Sequence, residues 1–202
     1  GVFLPPGCGA WWVRFFSVND PPADPRIPGK HNRENAAAAA AAARAAGIDG
    51  AAIAAGLRSF QGVPHRLELV GEVAGVRFVN DSKATNPEAA ERALTAYPPG
   101  LRLILGGSAK GSSFDRLAQT ARERGVGRAY LIGESASEIA AALSRADVTF
   151  THAGDLERAV AQAFSDAAPG EVVLLSPACA SYDQFENFEE RGARFRAIVG
   201  TL

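Results

Sequence analysis

The chain has 202 residues, 47% hydrophobic and 21% charged, with a net charge of −1 and a pI near 6.4. That balance suits a soluble globular protein of one large domain, or one domain plus part of another, and gives no basis for binding nucleic acid or an anionic membrane. Cys8 and Cys179 stand far apart and outside any metal-type pair, which points to a reducing compartment rather than a disulfide framework.

The N-terminal stretch is apolar and aromatic, but Pro5, Pro6, Gly7, Arg14 and Asp20 interrupt it too often for a signal peptide or a membrane span. No Met occurs anywhere, even at position 1, which suits a piece excised from a longer protein. Trp11 to Val18 reads as one strand of a hairpin, and the proline-rich run from Asn19 to Pro28 as a loop. An alanine-rich helix follows to Ala46, with Asn32 placed to cap its start and Gly47 its end. Asn32 and Asn35 then either cap this helix or meet a nucleotide base or phosphate at its N-terminus. A short helix over about Ala51 to Leu57 comes next. Gln61 to Glu68 crosses into a new unit and carries the pair His65-Arg66, suited to an anion; His31 lies before a helix, and His152 reads as part of a polar turn.

From Leu67 onward the pattern is regular. Leu67 to Glu72 and Val76 to Val79 read as a hairpin. Apolar strands then alternate with helices: helix from Pro87 to Ala96, strand Leu101 to Leu105, helix to about Arg124, strand Ala129 to Ile132, helix to Leu143. Strand Val148 to Phe150, helix Asp155 to Ala167, strand Val172 to Leu175 and a terminal helix with Phe188, Phe195 and Ile198 on one side complete the chain. The alternation predicts an α/β, Rossmann-like fold with a mainly parallel sheet and helices on both faces.

Three loops that follow strands are more polar than turning requires. The first, Asn80-Asp81-Ser82-Lys83-Ala84-Thr85-Asn86, packs a carboxylate, an ammonium, two amides and two hydroxyls between a strand and a helix with Pro87 at N1. The second holds Lys110 among Gly106, Gly107 and Gly111, and the third runs from Ser176 to Phe185 with Ser181 and Tyr182. All three leave the same sheet edge, where open α/β sheets bind ligands. Two lysines, hydroxyls and backbone amides suit a small molecule with more than one carboxylate. Alternatives stand beside this: Asp81 as a turn residue, Lys110 as a solvated lysine, Ser181 as an N-cap with Gln184 completing a capping box, and Cys179 as a small buried hydrophobe. The chain has no Walker A loop, no Gly-x-Gly-x-x-Gly helix opening and no clustered His/Cys metal site.

The run Asn80 to Asn86, together with His31-Asn32-Arg33-Glu34-Asn35, Pro64 to Glu68, Gly106 to Gly111 and Ser176 to Phe185, resembles the Mur ligase family, specifically its members that add D-glutamate to UDP-N-acetylmuramoyl-L-alanine. The resemblance runs in order from about Gly29 to the C-terminus. It implies that residues 1–62 are the end of a central ATPase domain and 63–202 a C-terminal Rossmann-like domain. The sugar-nucleotide domain, the Walker A loop, the carbamylated lysine and the magnesium ligands would lie upstream, so this piece alone is expected to be inactive and to hold no metal ligand. Asn32, Asn35, His65, Arg66 and Asp81 would then face ATP. Lys83, Thr85, Lys110, Ser181, Tyr182 and Phe188 would hold D-glutamate, although Tyr182 stands where the family commonly has an aliphatic residue. No catalytic residue is carried over within the chain. The implied setting is the cytoplasm, in peptidoglycan precursor synthesis. Alternatives are a folylpolyglutamate synthase-like ligase, or a non-catalytic binding module.

Overall fold

A computed structural model describes residues 2–3, 14–15, 21–109 and 111–202. The chain divides into two compact units, 1–62 and 63–202.

In the first unit, β1 (Val2–Phe3) pairs antiparallel with β2 (Arg14–Phe15); the rest of the strand expected over Trp11 to Val18 lies outside the described residues. Helix α1 spans Lys30–Ala45 and buries Ala36, Ala37, Ala40 and Ala41 along one stripe. Its N-cap is Gly29, so Asn32 is not the cap. The Asn32 amide sits inside the first turn and donates back to the Pro28 carbonyl at 2.7 Å. Helix α2 spans Gly50–Ser59, and the Asp49 side chain caps it by accepting from the amides of Ala51 and Ala52.

The second unit is built on a six-stranded sheet. Its strands are β3 (Glu68–Val73), β4 (Val76–Asn80), β5 (Arg102–Gly106), β6 (Arg128–Ile132), β7 (Phe150–Gly154) and β8 (Val172–Leu175), in the order β3-β4-β8-β5-β6-β7. Among the described strands of this sheet the β3–β4 hairpin pairs antiparallel and the others pair parallel. Central β8 is an unbroken Val-Val-Leu-Leu run with every residue buried, as a strand covered on both faces requires. Helices α3 (Pro87–Leu94), α4 (Asp115–Glu123) and α5 (Ala136–Arg145) follow one another along one face. Helices α6 (Leu156–Asp166) and α7 (Phe188–Val199) pack on the other, where Phe78, Ile104, Tyr130, Val173 and Leu175 meet Leu156, Val160, Phe195 and Val199.

Two boundaries depart from the sequence pattern. Strand β7 begins at Phe150 and carries His152, which lies on an edge strand rather than in a turn. Ser181 does not cap the terminal helix. Its carbonyl accepts from the amides of Gln184 and Phe185, and the helix starts later, capped by the Asn187 side chain on the Glu190 amide at 2.7 Å.

Candidate functional site

Strand order decides which loops can meet. Strand β8 lies between β4 and β5 and is parallel to both, so the loops 81–86, 107–114 and 176–187 leave neighbouring strands at their C-terminal ends. The β7-to-β8 connection returns across the sheet to reach this slot, which makes it the point where strand order reverses and α/β sheets open a crevice. Lys110 of the second loop lies outside the described residues.

The loop after β4 is anchored by side chains that are not themselves exposed. Asn80 is fully buried. Its Oδ1 accepts from the Ser82 amide at 3.1 Å, and its Nδ2 lies 3.0 Å from His65 Nδ1, 3.3 Å from Glu68 Oε2 and 3.2 Å from the Gly192 carbonyl. Because a backbone N–H and a backbone carbonyl fix which end of the amide is which, Nδ2 donates to His65. Glu68 also accepts from the His65 amide at 2.9 Å and pairs with Arg196.

Asp81 is 8% exposed, with both oxygens engaged: Oδ1 accepts from the Leu67 amide at 3.2 Å and Oδ2 from the Ser176 hydroxyl at 2.8 Å. Burial pushes its carboxyl up to about 6, opposed by the Ser176 and Leu67 hydrogen bonds and by the Arg66 charge. His65 and Leu67 have φ of 63° and 45°, left-handed values that cost non-glycine residues about 1–3 kcal/mol each. The amides donated to Glu68 and Asp81, and the Lys83 amide donated to the His65 carbonyl at 3.1 Å, hold this turn. Arg66, between the strained pair, is exposed.

Lys83 leaves the loop with its Nζ 4.0 Å from the centre of the Phe188 ring, a cation–π geometry, and His65 meets the same ring edge-on at 6.1 Å. The structure therefore brings His65, Lys83 and Phe188 into one cluster. Thr85 is half-buried in the same loop, Ser181 is buried, and the Tyr182 side chain is 71% exposed. Asn32 and Asn35 belong to the first unit, in the opening turns of α1. Burial raises the Cys179 thiol to about 11, which leaves it protonated and unsuited to nucleophilic attack. Among the described residues no group of three or more His, Cys, Asp or Glu side chains could hold a metal ion.

Of the residues that build this site from beneath, sequence reasoning placed Asn80, Ser82 and Ser176 in its polar loops without a role, and passed over Arg191 and Gly192. Gly192 has a clear reason to be glycine, since a Cβ there would overlap the His65 ring. Arg191 is fully buried and reaches the loops after β4 and β8. The available signal was its spacing. Phe188, Arg191, Gly192, Phe195 and Val199 fall on one helical stripe, so the arginine occupies a position where a core residue is expected.

Known proteins are similar to this chain. The glutamate ligase domain of the Mur ligases matches residues 65–179. A UDP-N-acetylmuramoylalanine–D-glutamate ligase of Sphingopyxis alaskensis is 50% identical over 183 residues, covering 88% of this chain and 41% of that protein. The chain spans about two fifths of the length of the curated relatives it matches. Among solved structures, a UDP-N-acetylmuramate-alanine ligase of Thermotoga maritima gives a TM-score of 0.65 at 17% identity, over 88% of this chain and 39% of that one. The E. coli FolC in complex with ADP gives 0.59 at 23% identity, over 88% and 41%. At such identities the likeness is one of fold.

Proposed function

The chain belongs to the Mur ligase family through its glutamate ligase domain, and from that premise we propose that it is the C-terminal portion of an ATP-dependent ligase joining D-glutamate to UDP-N-acetylmuramoyl-L-alanine in the cytoplasm. In this reading residues 1–62 end the ATPase domain, and 63–202 bind the incoming amino acid and one side of ATP. The observation that carries it is the pairing of Lys83 with Phe188: an ammonium from the loop after β4 lies 4.0 Å over the ring that opens α7, with the buried Ser181 in the loop after the neighbouring strand β8. Cation, hydroxyl and apolar surface together suit a short amino acid with two carboxylates.

The proposed reaction transfers the ATP γ-phosphoryl group to the substrate carboxylate, giving an acyl phosphate and ADP. The neutral D-glutamate amine attacks the acyl carbon, the C–N bond forms as the C–O bond to phosphate breaks, and the nitrogen gives one proton to solvent while the amide keeps the other. This chain contributes position and charge, which act by orientation and by stabilising developing charge. Lys83, Thr85, Lys110, Ser181, Tyr182 and Phe188 are assigned to D-glutamate, with Tyr182 contributing backbone and an exposed ring. Asn32, Asn35, His65, Arg66 and Asp81 are assigned to ATP. For Asp81 the supported part is indirect, because its carboxylate is spent on holding the turn that presents Arg66. Magnesium accompanies ATP in this scheme, and no ligand for it is assigned within the chain.

The test uses the full-length enzyme containing this chain. ADP release should require both UDP-N-acetylmuramoyl-L-alanine and D-glutamate. Lys83→Ala should raise the KM for D-glutamate by about tenfold or more, a lost charge-assisted contact, while the KM for ATP moves far less. Turnover with L-glutamate and a folate instead would favour the folylpolyglutamate synthase-like reading. An unchanged D-glutamate KM would remove Lys83 from the pocket.

A further inference from the structure

Arg191 is fully buried on α7, yet no carboxylate lies among its hydrogen-bond acceptors. Its Nε donates to the Ser82 hydroxyl at 3.0 Å and its Nη2 to the Ser82 carbonyl at 2.9 Å. The same Nη2 donates to the Cys179 carbonyl at 3.1 Å, and Nη1 to the Ala180 carbonyl at 3.3 Å. Burial lowers its pKa to about 10, which leaves the guanidinium protonated at neutral pH. The Asp183 carboxylate lies near enough to favour the charge without being one of its hydrogen-bond acceptors. A buried charge with no direct ion pair is costly, and a fold that tolerates it gains what its donors reach.

What it supplies is connection. Ser82 sits between Asp81 and Lys83 in the loop after β4, and Cys179 and Ala180 immediately precede Ser181 in the loop after β8. The loop after β5 joins the same assembly, because the Ala180 carbonyl also accepts from the Ser108 amide at 2.9 Å and the Ala180 amide donates back at 3.1 Å. Gly107 makes room for it: a Cβ there would overlap the Ala180 carbonyl oxygen and crowd Arg191 Nη1. A rigid planar fork of N–H donors can address acceptors on two separate chain segments at once, whereas a flexible ammonium cannot fix their relative angle.

We infer that Arg191 is a positioning residue for the amino-acid end of the site: it locks the loops after β4 and β8 into one body, so that Lys83 and Ser181 face the ligand at a fixed separation. The role rests on the ligase reading above. It differs from a general stabilising role in being selective: the loops it joins carry Lys83, Thr85, Ser181 and Tyr182, assigned to the amino acid. The one ATP-assigned residue on them, Asp81, is held separately by Leu67 and Ser176, while Asn32 and Asn35 lie on α1.

The experiment uses the full-length enzyme with Arg191→Lys, which keeps a cation and loses the fork. The KM for D-glutamate should rise by about tenfold or more, with the KM for ATP and the kcat at saturating D-glutamate within about threefold of wild type. Ser82→Ala keeps the arginine but removes its Nε acceptor together with the hydroxyl's own bond to the Phe188 carbonyl at 2.8 Å, and should show the same split at smaller size; it carries the test if the lysine variant does not fold. A wild-type D-glutamate KM, or parallel rises in both KM values, overturns the positioning role while leaving the ligase reading intact. A wild-type enzyme indifferent to D-glutamate overturns both.

Discussion

At the N-terminal ends of the strands, Arg102 meets Glu171 at 2.9 Å and Arg128 meets Asp166 at 3.5 Å, with Tyr130 donating to the same Asp166 at 2.8 Å. At the C-terminal ends, Arg191 and Asp81 are each buried and each held by hydroxyls and backbone groups rather than by an ion pair. The first set is partly exposed and self-neutralising, the kind of pairing worth about 1 kcal/mol or less per pair. The second set gives up mutual neutralisation and fixes three loops instead. One end of the sheet is closed by direct ion pairs; at the other, Arg66 and Asp183 act on Asp81 and Arg191 only at a distance, and the direct contacts of the buried charges go to the loops.

The contrast breaks most severely at Asn80. Replacing it with Ala strips a buried partner from the Ser82 amide, the Gly192 carbonyl and His65. At about 1–3 kcal/mol per orphaned group, urea unfolding should show a loss of about 4 kcal/mol. A loss under about 1 kcal/mol would mean that water satisfies these groups and that the loop is not built from below.

Asp81 gives the next effect, and it depends on pH. Its folded pKa of about 6 lies above the ordinary carboxyl value of 3.8, so the native state favours the protonated form. Any stability tied to that proton is fully present below about pH 4 and lost as pH rises through about 6. Asp81→Asn removes this dependence. Wild type should therefore lose about 3 kcal/mol relative to the variant between pH 4 and pH 8, two units at 1.36 kcal/mol each. A pH-independent difference between the two proteins would show that the carboxyl is not desolvated.

The smallest effect belongs to the opposite end. Glu171→Gln leaves hydrogen-bonding capacity toward Arg102 and the Ala168 amide, and should cost about 1 kcal/mol. About 1 M salt should shrink even that, since it screens beyond about 3 Å. A cost equal to that of Asn80→Ala would erase the distinction between the two ends.

Much of the fold was legible because apolar runs speak plainly. Val172–Leu175 is a strand wherever it is placed, and Asn86-Pro87 marks a helix start by cap and by ring geometry. Strand β7 was harder, because an edge strand reading Phe-Thr-His-Ala-Gly lacks the apolar continuity of its neighbours. Asn32 and Ser181 misled for a shared reason: each has a capping residue's chemistry, while the chain's path put the caps at Gly29 and Asn187. The polar loops of the site announced themselves by being polar. Their supports did not, since Arg191 within Phe-Glu-Glu-Arg-Gly-Ala-Arg reads as one more charge on a solvated helix until the packing shows which face it shares with Phe195.

The ring beneath Lys83 has a consequence for recognition. A free lysine side chain surrenders about 2 kcal/mol of rotational freedom when an anion fixes it. Resting on Phe188, this one has already lost part of that freedom as the protein folds. An arriving carboxylate therefore meets an ammonium with fewer rotamers left to freeze, and more of the attraction between them survives as affinity.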